Sequence, residues 1–314
     1  MAKILVNDGI EESGKVMLEA AGFEVDTNNI PQDQLIEKLP AYDAICVRSA
    51  TKVRKDLIDA CPNLKVIGRG GVGLDNIDVE YAKSKGIKVI NTPAASSRSV
   101  GELAFAHLLG IVRFLHKSNQ EMPVKGATDF GALKKAYSKG IELEGKTMGV
   151  IGMGRIGQET MKIAMGLGME IIAFDPFVDS VNLTIGNSQY KATITVPKSS
   201  MEDVLSKCDF LSLHVPGLKA PIMNKEQFDM MKDGAILINC ARGGVVNEDA
   251  MLEALNSGKL AAAGVDVFDN EPTPRLEILQ HPRVSLTPHI GAATAEAQEK
   301  VGSELAAQLI EILK

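Results

Sequence analysis

MGVIGMGRIGQETMKIAMGLGMEIIAFD, residues 148–175, reads as a buried strand, a glycine turn, an amphipathic helix and a second buried strand. Gly152, Gly154 and Gly157 stand in G-x-G-x-x-G spacing, with apolar strand residues before them and a helical pattern after them. The context matters, because the spacing alone is weak. Gly152 permits the tight turn, Gly154 lets a pyrophosphate approach the backbone, and Gly157 lets the helix pack close to the strand. The helix start then presents free N–H groups and a positive dipole end to phosphate. The second strand ends in Asp175, whose carboxylate can accept ribose hydroxyls and repel the extra phosphate of NADP. NAD is therefore the expected cofactor. A cofactor-free α/β domain and a methyltransferase with a similar glycine turn are the competing readings.

Outward from this segment the alternation continues. Strand patterns at 147–152, 170–174, 210–213, 235–239, 261–266 and 284–286 build one α/β series. An earlier series uses KILVN (3–7), FEVD (23–26), AICV (44–47), KVIG (65–68) and IKVINTP (87–93), with helical patterns at 12–22 and 78–85. Short strands alternating with helices imply parallel sheets and right-handed crossovers. A long apolar helical pattern runs from Ser99 to about Met122, 123–146 reads as a polar surface excursion, and a helix at 294–313 closes the chain. The expected fold class is α/β with two doubly wound parallel sheets.

With 314 residues the chain is long enough for two domains. It lacks an apolar run long enough to span a membrane, and MAKILVNDGIEESG has no signal-peptide core, so cytoplasm is the expected location. A net charge of −6 argues against nucleic acid or an acidic membrane as partner. Cys46, Cys61, Cys208 and Cys240 form no C-x-x-C pair and read as reduced, buried residues. The five histidines show no H-x-x-x-H pairing, so no metal is expected.

Three polar residues stand just after strands of the second series: Arg242, Glu271 and His289. The carboxyl ends of parallel strands face the ligand crevice. Histidine can give or take a proton near neutral pH. A carboxylate on its second ring nitrogen sets the tautomer, and arginine can clamp a carboxylate with a fork of donors. Each has a plainer explanation: a structural histidine, a solvated loop acid, an arginine capping a turn.

Seven segments together carry a resemblance: VRSATKV (47–53), GRGGVGLDNID (68–78), NTP (91–93), GMGRIG (152–157), NCARGGVVNE (239–248), GVDVFDNEP (264–272) and TPHIGA (287–292). Over nearly its whole length the chain resembles the D-2-hydroxyacid dehydrogenases, and among them the D-3-phosphoglycerate dehydrogenases. The resemblance implies a Rossmann nucleotide domain, residues 99–289, inserted into a flavodoxin-like substrate-binding domain, residues 1–98 and 290–314. It implies NAD as cofactor, a homodimer built on the nucleotide domain, and an Arg242–Glu271–His289 triad with His289 as acid/base. Around the cofactor it places Gly152, Gly154, Arg155, Ile156, Gly157, Asp175, His214, Pro216, Cys240, Ala241, Arg242, Asp266, His289 and Gly291. Around the substrate it places Arg48, Ser49, Val72, Gly73, Arg242 and His289.

The glycines of GRGGVGLDNID free backbone N–H groups for an anion, and the resemblance gives the Val72 and Gly73 amides to the substrate carboxylate. It gives Arg48 to a substrate phosphate. Lys134 and Lys135 stand where related enzymes reach a basic residue across the dimer, here without the bidentate fork of arginine. The implied activity is D-3-phosphoglycerate dehydrogenase, the first step of serine biosynthesis, without the appended domains that sense serine. A glyoxylate or hydroxypyruvate reductase is the alternative within the class. An NAD-sensing scaffold or corepressor is the alternative outside it.

Overall fold

The computed structural model describes residues 1–186 and 189–314. The chain divides into two compact units, the first made of 1–99 and 292–314, the second of 100–291. The second unit is thus an insertion between two segments of the first.

The first unit contains β1 (Lys3–Val6), β2 (Glu24–Asp26), β3 (Ala44–Val47), β4 (Val66–Arg69) and β5 (Lys88–Asn91), all parallel and in the order β2-β1-β3-β4-β5. This is the flavodoxin-like order. β1 and β3 are buried almost throughout, as expected of strands covered on both faces. The C-terminal helix Ala295–Leu313 covers one face of this sheet, capped by Thr294 Oγ1, which accepts from Ala297 N at 3.1 Å. It returns to the first unit because Leu305, Ala306 and Leu309 pack against Ile4, Val6, Leu18 and Val66. Burying Leu305 and Leu309, at 3% and 0% exposure, contributes about 3–6 kcal/mol before entropy.

The second unit contains β6 (Thr147–Ile151), β7 (Glu170–Phe174), β8 (Ser180–Gly186), β9 (Lys191–Pro197), β10 (Phe210–Leu213), β11 (Ala235–Asn239), β12 (Leu260–Val265) and β13 (Val284–Leu286). Six of them form a parallel sheet in the order β13-β12-β11-β10-β6-β7. β6 and β10, adjacent in this order, diverge to either side of the sheet, which makes their ends a topological switch point. Beyond β7, where a doubly wound sheet carries another strand, pairing shrinks to one parallel bridge between Ala173 and Lys198. The intervening chain instead forms the antiparallel pair β8–β9. Val181 and Leu183 of β8 and Val196 of β9 turn into the core beside Met161 and Ala173.

Two helical expectations change. The long pattern from Ser99 to Met122 is two helices, Ser97–Val112 and Leu115–Lys125, separated at Phe114, which has φ +55°. The first buries Val100, Ala104, Phe105, Leu108, Ile111 and Val112. The second buries nothing in this chain, so the apolar stripe that would keep a helix straight against the core ends at Val112. The excursion at 123–146 holds the helix Phe130–Ala136. All four cysteines are free and buried. Among the described residues no helix is long and apolar enough to cross a membrane, and no cluster of His, Cys, Asp or Glu could hold a metal ion.

Candidate active site

The glycine turn joins β6 to the helix Arg155–Gly166. Gly152 has φ +99°, and a Cβ there would lie 2.3 Å from the His214 carbonyl oxygen. A Cβ on Gly157 would lie 1.9 Å from the Gly152 carbonyl oxygen. The missing side chain of Gly157 lets the helix approach the turn after β6, and that of Gly152 lets the turn approach the chain at His214. Gly154 differs: it is the N-cap, no side chain caps the helix, and nothing lies within 4 Å of where its Cβ would be. The open space over Gly154 and the uncapped N–H groups suit a bound anion. The helix packs through Gly157, Thr160, Met161 and Ala164, leaving Arg155 exposed and Ile156 half-buried.

Asp175 closes β7. Its Oδ2 accepts from Met153 N and its Oδ1 from Phe177 N, each at 2.8 Å. Two backbone donors hold the carboxylate beside the glycine turn, and each oxygen keeps acceptor capacity. His214 follows β10. Its ring Nε2 lies 2.9 Å from Ser212 Oγ, and burial pushes the imidazole down to about 3, so it is neutral. Pro216 is exposed, two residues on.

β11 ends in Asn239, whose Oδ1 accepts from Ala241 N at 3.1 Å and whose Nδ2 donates to Arg242 O at 3.3 Å. The Cys240 and Ala241 side chains are 5% exposed and belong to the core. The half-buried Arg242 donates from Nη1 to Ala241 O at 2.6 Å. Its loop is stitched to the loop after β12. Gly244 N donates to Asp269 Oδ1 at 2.5 Å, and Asp269 N to Glu248 Oε1 at 3.0 Å.

That second loop carries Glu271, whose Oε1 accepts from Phe268 N at 3.0 Å. Its Oε2 lies 2.7 Å from His289 Nδ1. A carboxylate can only accept, so Nδ1 carries the hydrogen and Nε2 is the nitrogen left for proton exchange. His289 has φ +55°, a conformation seldom taken by a non-glycine residue. Its amide donates to Asp266 O at 2.9 Å. The Asp266 carboxylate, 1% exposed, accepts from Ile290 N at 2.8 Å, Gly291 N at 2.9 Å and Thr287 Oγ1 at 2.6 Å. A cleft of about 440 Å³ opens beside Glu271 and His289, walled by Phe268, Pro272, Pro274, Leu286 and Pro288.

The residues expected around the substrate in the first unit lie at two neighbouring strand ends. Arg48 and Ser49 follow β3, and Val72 and Gly73 follow β4. Arg48 N donates to Asp8 Oδ2 at 2.6 Å, its guanidinium to Gln298 Oε1, and its carbonyl accepts from Asn76. Val72 O accepts from Asn91 Nδ2 at 2.7 Å. Ser49 is exposed, and Lys134 and Lys135 are exposed in the last turn of the helix Phe130–Ala136.

The structure thus joins Glu271 to His289 directly and Arg242 to Glu271 through their loops. Sequence reasoning missed the supports, chiefly Asn239, Thr287 and the buried His107, whose ring nitrogens lie 2.9 Å from Ser285 Oγ and Thr287 Oγ1. The available signal was a histidine inside an apolar helical stripe, a polar group that has to find partners.

Residues 105–291 match the family model described as the NAD binding domain of the D-isomer specific 2-hydroxyacid dehydrogenases. The chain is 43% identical to a hydroxypyruvate reductase of Thermotoga maritima, over 99% of this chain and 98% of that protein. It is 41% identical to a D-3-phosphoglycerate dehydrogenase of Methanocaldococcus jannaschii, over 100% of this chain and 58% of that one, so it spans little more than half of that relative. Among solved structures it resembles a glyoxylate reductase from Paecilomyes thermophila. The TM-score is 0.83 and the identity 27%, over 99% of this chain and 95% of the other.

Proposed function

The chain belongs to the NAD-dependent D-isomer specific 2-hydroxyacid dehydrogenase family, and we propose that it interconverts a D-2-hydroxy acid and its 2-keto acid, with Arg242, Glu271 and His289 as the catalytic groups. The observation that carries this reading is the 2.7 Å contact of His289 Nδ1 with Glu271 Oε2 at strand ends of the sheet that also holds the glycine turn.

NAD, when bound, supplies the hydride carrier. The uncapped helix behind Gly154 suits its pyrophosphate and the Asp175 carboxylate its ribose. The chain's own work is orientation and proton transfer. Arg242 would clamp the substrate carboxylate with its guanidinium fork. In reduction, His289 Nε2–H gives its proton to the C2 oxygen as C2 gains hydride. In oxidation, Nε2 takes that proton back. Glu271 keeps Nδ1–H bonded throughout, so the ring offers Nε2 in either direction.

For the substrate, the first reading is 3-phosphoglycerate and 3-phosphohydroxypyruvate, supported by Arg48 at the end of β3 beside the β4 loop with Val72 and Gly73. The second is hydroxypyruvate or glyoxylate without phosphate, supported by a near full-length match to a hydroxypyruvate reductase. In both readings residues 1–98 and 290–314 form the substrate-binding domain and 99–289 the dinucleotide-binding domain, which also carries Arg242 and His289. Exposed Leu109, Leu115, Val124 and Phe130 support a homodimer through the nucleotide domain.

The test follows NADH oxidation with 3-phosphohydroxypyruvate, hydroxypyruvate, glyoxylate and pyruvate, together with Arg48→Ala. On the first reading Arg48→Ala raises KM at least 10-fold for the phosphorylated acid alone. Equal effects on phosphorylated and unphosphorylated acids would select the second. NADH binding with no turnover of any 2-keto acid would overturn the enzymatic reading in favour of an NAD-sensing protein.

A further inference from the structure

We propose that His107, which lies outside the triad, is a positioning residue that sets the orientation of His289 through a directed hydrogen-bond chain. The proposal rests on His289 being the acid/base. His107 sits in the helix Ser97–Val112, 4% exposed, among buried Ala104, Phe105, Leu108 and Ile111. Its Nδ1 lies 2.9 Å from Ser285 Oγ and its Nε2 2.9 Å from Thr287 Oγ1.

The hydrogens in this chain have one consistent arrangement. The Asp266 carboxylate is an acceptor, so the Thr287 hydroxyl gives it the hydrogen at 2.6 Å. With its only hydrogen spent, Thr287 Oγ1 can only accept from His107, which places the ring hydrogen on Nε2. The neutral ring then accepts at Nδ1 from Ser285. Donation runs from Ser285 to His107, to Thr287, to Asp266. Burial holds the His107 ring below its ordinary range, with Asp266 pulling it up and His116 pushing it down, which keeps it neutral as the chain requires.

Asp266 is where the chain meets the chemistry. Its carboxylate takes the amides of Ile290 and Gly291, and its carbonyl takes the amide of His289. Those three donors belong to the turn that holds His289 at φ +55°, with Nδ1 on Glu271. Left-handed backbone at a non-glycine residue persists only where the surroundings over-determine it. A hydroxyl locked onto Asp266 fixes the carboxylate plane that two of the amides read. If Thr287 lost its donor it could rotate, and the carboxylate with it.

The experiment uses the full chain, with hydroxypyruvate and NADH as probes. His107→Phe fills the ring's space without nitrogen, and kcat should fall about 10-fold while KM and NADH affinity stay within 3-fold. His107→Gln returns an N–H near the Nε2 position and should recover kcat to within 3-fold of the parent. Thr287→Val should lower kcat at least as far, and adding His107→Phe to it should lower kcat by less than 2-fold more, because His107 acts only through Thr287. His107→Leu carries the same comparison if the Phe variant does not fold. Multiplying effects, no recovery with Gln, or unchanged kcat in both nitrogen-free variants would overturn the proposal. His289→Asn runs alongside. If it turns over normally, the acid/base assignment has failed and this proposal falls with it. If it is inactive while His107→Phe is unaffected, only the role of His107 falls.

Discussion

Gly157→Ala puts one methyl group where the helix Arg155–Gly166 meets the turn after β6. The new Cβ would lie 1.9 Å from the Gly152 carbonyl oxygen and 3.1 Å from its carbon, with Val150 at 3.4 Å. The oxygen is about 1.5 Å inside ordinary contact. It belongs to the backbone, and Gly152 N is tied to Phe174 O at 2.8 Å, so it cannot swing aside cheaply. The first turn of the helix has to move outward instead. Forced overpacking of this kind costs about 1–3 kcal/mol, and a backbone neighbour puts it near the upper end. That is a large part of a net stability of about 5–15 kcal/mol. On the proposed role of this turn, the same movement takes the uncapped N–H groups off the cofactor phosphates. Losing one charge-assisted hydrogen bond, about 1.5–3 kcal/mol, weakens NADH binding roughly 10- to 100-fold. Urea unfolding by circular dichroism reads the first effect. Titration of NADH by its own emission reads the second, in a chain with no tryptophan to interfere. Gly154→Ala is the control. Its Cβ meets nothing within 4 Å, so it should weaken NADH binding while changing stability by under about 1 kcal/mol. A Gly157→Ala protein within 0.5 kcal/mol and 2-fold in affinity of the parent, order-of-magnitude criteria set by surface substitutions, would refute the reasoning.

Two further outcomes follow from single carboxylates. Asp175→Ala removes the acceptor held by Met153 N and Phe177 N, so the preference for NAD over NADP should narrow by about 10-fold, or about 1.4 kcal/mol, in paired titrations; a parent protein that binds both equally would remove the argument. Asp43 links Lys65 Nζ and Lys3 N, each at 2.9 Å, and the Lys65 ammonium and then the Lys3 amide hold its carboxyl below the usual range. Its lowered folded value means the stability it adds is complete above the unfolded pKa near 4 and disappears as pH falls through the folded value. Asp43→Asn should therefore lie about 1 kcal/mol below the parent in urea unfolding at pH 7 and converge with it as the pH falls below the ordinary carboxylate range, and a difference that stays constant on acidification would count against the assignment.

Much of this molecule was readable along the chain. The glycine turn, its helix and Asp175 fall within 28 consecutive residues, and their meaning depends on local geometry: an apolar strand, a positive-φ glycine, a 3.6-residue stripe. The parallel sheets followed from strands alternating with helices, because parallel pairing needs a crossover. Glu271 and His289 were visible as isolated polar residues after strands. The pair β8–β9 was not read, although Val181 and Leu183 alternate with Asn182 and Thr184, because a doubly wound pattern favours a helix and parallel strand there. The break at Phe114 was hidden because apolar residues continue past it, while burial stops at Val112.

Sequence by itself determined the α/β class, the dinucleotide turn and the residue types suited to the chemistry, since each depends on spacing within one or two elements. Tertiary structure alone decided which of those residues touch and what holds them. His289 meets Glu271 18 positions away because the chain after β13 turns back beside the loop that follows β12. His107 meets Ser285 and Thr287 across 178 and 180 positions because the helix Ser97–Val112 packs across that edge of the sheet. A hydrogen bond depends on a few tenths of an ångström between groups brought together by packing, and no periodicity along the chain encodes that distance.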